Sequence, residues 1–88
     1  MARVDPARLQ DLEDVLAEVR TWPGVEDRGG GTFYAKRKPF FHFHAGRDSR
    51  RADVKQGDGW TEVDLPEPLP AGVHDAFAEL LRLEFEER

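Results

Sequence analysis

Thr32-Phe33-Tyr34-Ala35-Lys36-Arg37-Lys38-Pro39-Phe40-Phe41-His42-Phe43-His44 decides how this chain is read. In its first half Phe33 and Ala35 fall on one side, and Tyr34 and Lys36 on the other. In its second half Phe41 and Phe43 oppose Phe40, His42 and His44. Alternation with period two and aromatic enrichment marks half-buried β-strands. Pro39 has no N–H to give to a ladder, so it belongs at the start of its strand. The link Lys36–Lys38 contains neither Gly nor Asn, so a loose connection is expected rather than a tight primed turn.

Two more strands follow on the C-terminal side. Ala45-Gly46-Arg47-Asp48-Ser49 reads as a turn. Arg51 to Gln56 then alternates with Ala52 and Val54 inward. Gly57-Asp58-Gly59 is a strong turn signal, and Trp60 to Leu65 puts Val63 and Leu65 inward with Glu62 and Asp64 outward. Turns this short predict an antiparallel meander of four strands. On the N-terminal side, Val25 to Gly31 reads as a polar connector. Its three glycines lack the Lys-Ser/Thr and the helix that a phosphate-binding loop requires, so a flexible lead into the first strand is expected.

A helix lies on either side of the strands. Asp5-Pro6 suits an N-cap followed by a first helical position. Leu9, Leu12, Leu16 and Val19 then recur at spacings of three, four and three, an apolar stripe that predicts a helix over 6–21. Trp22-Pro23-Gly24 stops it. After the stiff segment Pro66-Glu67-Pro68-Leu69-Pro70, the stripe Val73, Ala76, Phe77, Leu80 and Leu81 predicts a second helix over 70–86. The fold class is therefore α+β: N-terminal helix, four-stranded antiparallel sheet, C-terminal helix, in two layers with one sheet face left uncovered.

A length of 88 residues fits a single domain, 1–88. With no cysteine, disulfides and thiolate chemistry are excluded. No apolar run reaches the roughly 18 residues of a membrane span, and Met1 to Pro6 has no signal-like apolar stretch, so a cytoplasmic protein with no membrane partner is expected. The net charge of −5 is unevenly distributed. Residues 28–55 carry eight basic and two acidic side chains, whereas the flanking segments are strongly acidic. The expected sheet is thus the basic part of an acidic protein.

Trp22-Pro23-Gly24-Val25-Glu26, Thr32-Phe33, Lys38-Pro39-Phe40, Trp60-Thr61-Glu62-Val63-Asp64-Leu65, Pro70 with Val73, and Leu81-Arg82-Leu83 together resemble motifs of the MmcQ/YjbR family of small bacterial proteins. That resemblance implies a CyaY-like fold and a DNA-binding label, and it transfers no catalytic residue.

Three functional readings come from the expected open face. Alternation places Tyr34, Lys36, Phe40, His42 and His44 there with Arg51, Lys55 and Trp60, while Arg37, Lys38, Arg47 and Arg50 ring it from the turns. Basic groups attract phosphates and exposed aromatics stack on bases, so Tyr34, Lys36, Arg37, Lys38, Arg47, Arg50, Arg51, Lys55 and Trp60 form a candidate nucleic-acid surface. Phe40 and Trp60 are the alternative contact of a homodimer. Third, His42 and His44 point the same way and are candidate metal or small-ligand residues, with Glu62, Asp64 or a partner's histidine as the expected third ligand. The plainer reading is a solvated face on which these groups pair with Asp53, Glu62 and Asp64. Nothing in the sequence builds a catalytic constellation or calls for a cofactor, so a non-enzymatic binding module is expected.

Overall fold

The computed structural model describes residues 3–88. The chain runs through a 3₁₀ segment Pro6–Leu12, helix α1 Glu13–Val19, strands β1 Val25–Asp27, β2 Thr32–Ala35, β3 Lys38–Ala45, β4 Arg50–Gln56 and β5 Gly59–Asp64, and helix α2 Ala71–Glu86. The fold is α+β, and the sheet is antiparallel with neighbours in chain order β1-β2-β3-β4-β5.

The sheet has five strands where four are expected. The addition is β1, which pairs Val25 with Ala35, Glu26 with Tyr34 and Asp27 with Phe33. Three residues, two of them acidic, are too few to show alternation, so only pairing with β2 reveals the strand. The glycine run after it is pinned rather than flexible. Gly29, Gly30 and Gly31 all take positive φ, and the carbonyls of Gly30 and Gly31 accept from the N–H groups of Val4 and Phe43. A side chain at Gly31 would press on Phe43 and Val4 as well as straining the backbone.

The N-terminal helical stretch divides. Asp5 caps the 3₁₀ segment by accepting from the N–H of Ala7. Leu9 and Leu12, three apart, stack on one face of a helix with three residues per turn, and Val15, Leu16 and Val19 continue the stripe from α1. All five are buried. Both helices cover the same sheet face. Phe77 of α2 packs edge-on against Phe41 and Phe43, and Arg20, just past α1, reaches over Phe33. The core lies in this one layer.

The main departure from the expected strand parity is at the β2–β3 hairpin. Ala35 pairs with Lys38, so Lys36 and Arg37 form a two-residue turn with φ of 54° and 69°. That is the tight primed geometry, built without the Gly or Asn that usually permits it. Beyond it Tyr34 pairs with Pro39 and Phe33 with Phe41, leaving Phe40 as an extra residue in a bulge. The bulge turns Phe40 to the same side as Phe41. Phe40 is fully buried, 4.9 Å from Phe41 and 6.1 Å from Phe85 of α2. It is a core residue and offers nothing to an exposed dimer contact.

Among the described residues no helix is long and apolar enough to cross a membrane.

Candidate ligand site on the open sheet face

The uncovered face is assembled by register. Thr32 and Tyr34 come from β2, Pro39, His42 and His44 from β3, Arg51, Asp53 and Lys55 from β4, and Trp60, Glu62 and Asp64 from β5. Cross-strand pairs set His42 against Asp53, His44 against Arg51, Asp53 against Glu62, Lys55 against Trp60 and Arg51 against Asp64. Residues directly opposite on one face have Cβ atoms about 5 Å apart, which brings each pair within reach.

Asp53 is the centre of this grid. Its Oδ2 lies 3.2 Å from His42 Nε2 and 3.1 Å from His44 Nε2, while its Oδ1 accepts from Arg51 Nε at 3.1 Å. The carboxylate is mostly shielded, at 14% side-chain exposure. Burial alone would raise its pKa; the Arg51 hydrogen bond and the charges of Arg51, His44 and His42 outweigh that and hold it below the usual carboxylate range. Burial, then repulsion from His44, pushes His42 below the ordinary imidazole range, with Asp53 opposing. The third ligand expected from the sequence, Glu62 or Asp64, stands one strand too far away. Asp53 on the adjacent strand takes that position, and sequence spacing alone cannot reveal a partner that register brings across.

Beside the cluster is a recess of about 220 Å³ bounded by Thr32, Tyr34, Pro39, His42, His44 and Trp60. Trp60 is 43% exposed, and its ring meets that of His42 edge-on at 4.8 Å. Each aromatic wall carries a cation. The Arg28 guanidinium lies 3.6 Å from the Tyr34 ring centre, and the Lys55 ammonium 5.1 Å from that of Trp60.

The nine residues of the expected nucleic-acid surface do not form one patch. Tyr34, Arg51, Lys55 and Trp60 stand on the open face. Lys36 turns to the helix side, donating to the Arg88 carbonyl and lying over Phe85. Lys38 pairs with the inward Ala35 and lines a cavity with Glu84, Glu87 and Arg88. Arg37 is at the hairpin tip, and Arg47 in the turn between β3 and β4, toward the opposite end of the sheet.

Arg50 is the clearest correction. It is buried, with 1% of its side chain exposed. It donates to both oxygens of Asp11 at 2.7 and 3.0 Å and to the carbonyls of Leu65, Arg8 and Pro66. The guanidinium fork fits this planar set of acceptors, so Arg50 ties the 3₁₀ segment to the end of β5. It is out of reach of any external phosphate.

Compared with family models, curated proteins and solved structures, the chain matches none of them.

Proposed function

We propose that this chain is a non-catalytic binding module that seats a small planar ligand on its open sheet face. The observation that carries this is the recess itself. Tyr34, Pro39 and Trp60 supply apolar walls to stack against, while His42, His44 and Asp53 bring polar atoms together beside them. Small-ligand sites combine these two features. The resemblance to the MmcQ/YjbR family is compatible with a module of this kind and adds no ligand to it.

The test is nuclear magnetic resonance titration of the whole chain with indole, imidazole and adenosine in EDTA-containing buffer. Amide shifts confined to Tyr34, His42, His44 and Trp60 and their strand neighbours are expected. If none of the three probes moves these signals at millimolar concentration, the reading fails.

A second reading, contact with single-stranded nucleic acid, is favoured by the two cation-topped aromatic rings. The charge balance opposes it. Arg28, Arg51 and Lys55 share the face with Glu26, Asp53, Glu62 and Asp64, and Arg51 and Arg28 are already paired with carboxylates. A face with no net positive charge gains little from counterion release. A fluorescent single-stranded oligonucleotide whose anisotropy stays flat at low salt is expected; a rise that fades with added salt would restore this reading.

A further inference from the structure

We propose that His42, His44 and Asp53 form a binding site for a divalent transition-metal ion, with His42 Nε2, His44 Nε2 and Asp53 Oδ2 as its ligands. Among the described residues this is the one group of His, Cys, Asp or Glu side chains whose donor atoms converge, all within 4.8 Å of one another. The inference rests on reading the open face as the ligand seat, and it names the cofactor class that seat takes.

Four observations support it. The first is separation. Metal–nitrogen and metal–oxygen bonds of about 2.0–2.1 Å in tetrahedral geometry set neighbouring donors about 3.3 Å apart. The two nitrogen–oxygen separations are 3.2 and 3.1 Å and all three donors lie within 4.8 Å of one another, so an ion enters by imidazole rotations that close the three donors around it. The second is donor type. Two imidazoles and one carboxylate suit zinc, nickel, cobalt or copper, whereas magnesium and calcium select oxygen-only sets. The third is support around the ligands. Arg51 holds Oδ1 of Asp53 and leaves Oδ2 free to coordinate, and metal-binding carboxylates are commonly fixed by an outer hydrogen bond of this kind. The fourth is access. The site opens on the uncovered face beside the recess, so a fourth coordination position faces an incoming ligand, as in sites with three protein donors.

His74 provides an internal contrast. It contacts two aspartates, but Asp14 meets Nε2 and Asp75 meets Nδ1, at opposite corners of the ring. Donors arranged around one ring in this way cannot share an ion.

The experiment measures thermal unfolding of the tag-free chain at pH 7.5 with Zn²⁺, Ni²⁺, Co²⁺ or Mg²⁺, alongside visible absorption with Co²⁺. An ion bound only to the native state at a hundred times its Kd raises Tm by roughly 10–20 °C for a domain this size. The expected result is such a rise with Zn²⁺, Ni²⁺ and Co²⁺ and none with Mg²⁺. The rise should be lost in H42A and in H44A and kept in H74A. Metal-free Tm values show that each variant folds, and Co²⁺ absorption on wild type and H74A reports the coordination directly. No rise in wild type, or an equal rise in the H42A/H44A double variant, overturns the site. Because the organic probes are titrated in EDTA, their success alongside a failed metal titration removes only the metal, while the reverse removes only the planar-ligand reading.

Discussion

Arg50 and Arg51 are adjacent in sequence and have opposite fates on the two sides of the sheet. Arg50 turns to the helix-covered side and spends its guanidinium on Asp11 and three carbonyls. Arg51 turns to the open side and shares Asp53 with two histidines. The histidines divide the same way. On the covered side one imidazole, His74, sits between two carboxylates; on the open side two imidazoles crowd one carboxylate. Where polar groups are saturated they hold the fold. Where nitrogen donors outnumber the carboxylates available to them, coordinating capacity is left for something else.

The largest effects should come from breaking the covered side. Phe40→Ala is expected to cost about 3–5 kcal/mol, the usual range for removing a buried phenylalanine; if Phe40 faced water, as plain alternation has it, urea denaturation would show almost no change. Arg50→Ala should cost somewhat less, about 1–3 kcal/mol, because it leaves the carbonyls of Leu65, Arg8 and Pro66 without their donor, whereas the exposed carboxylate of Asp11 can turn to water. Arg51→Ala should cost less than about 1 kcal/mol, as exposed ion pairs do. Equal losses for the two arginines would erase the distinction between the faces.

A smaller effect with the opposite sign is expected at the hairpin that sets the bulge. Lys36 and Arg37 both take positive φ, which costs a residue with a side chain about 1 kcal/mol or more. Replacing the pair by Asn-Gly should raise stability by about 1 kcal/mol, visible as a higher urea midpoint with an unchanged slope. A lower midpoint would mean that the Lys36 contacts with Arg88 and Phe85 outweigh the strain.

The smallest effect is in pH dependence, and it separates the two histidine sites by sign. Hydrogen bonds to Asp75 and then Asp14 raise the pKa of His74, and His74 in turn lowers that of Asp14; Glu18, Glu79 and Arg82 line the same cleft. A histidine raised in the folded state contributes stability that is complete below its unfolded value of about 6.5 and is lost as pH rises through the folded value. His42 is lowered by burial, so its contribution runs the other way, complete above about pH 6.5 and lost as pH falls. In EDTA, the stability difference between wild type and H74N should shrink from pH 6 to pH 8, and that between wild type and H42N should grow. Parallel trends for the two variants would contradict the opposed arrangements.

Much of this was legible in the chain because it depends on local periodicity. Val73, Phe77, Leu80 and Leu81 of α2, the alternation of β4 and β5 and the inward Phe33, Phe41 and Phe43 follow from spacing alone, whereas Ala76 of the expected stripe is exposed and Ala78 packs on the core instead. Other features did not, and three show why. β1 is too short to carry a pattern. Arg50 reads as a surface arginine until Asp11 and three carbonyls converge on it. Phe40 reads as exposed because a bulge, which exists only between paired strands, reverses its parity.

The sequence by itself determined the α+β class, the two helices and the side of the sheet on which His42, His44 and Trp60 stand, since a fixed period assigns each residue to a face. Only the tertiary structure decided that Asp53 meets both imidazoles, that Phe40 joins the core and that Arg50 is internal. Those outcomes depend on strand register and on contacts between residues far apart in the chain, and neither is encoded in the spacing of neighbours.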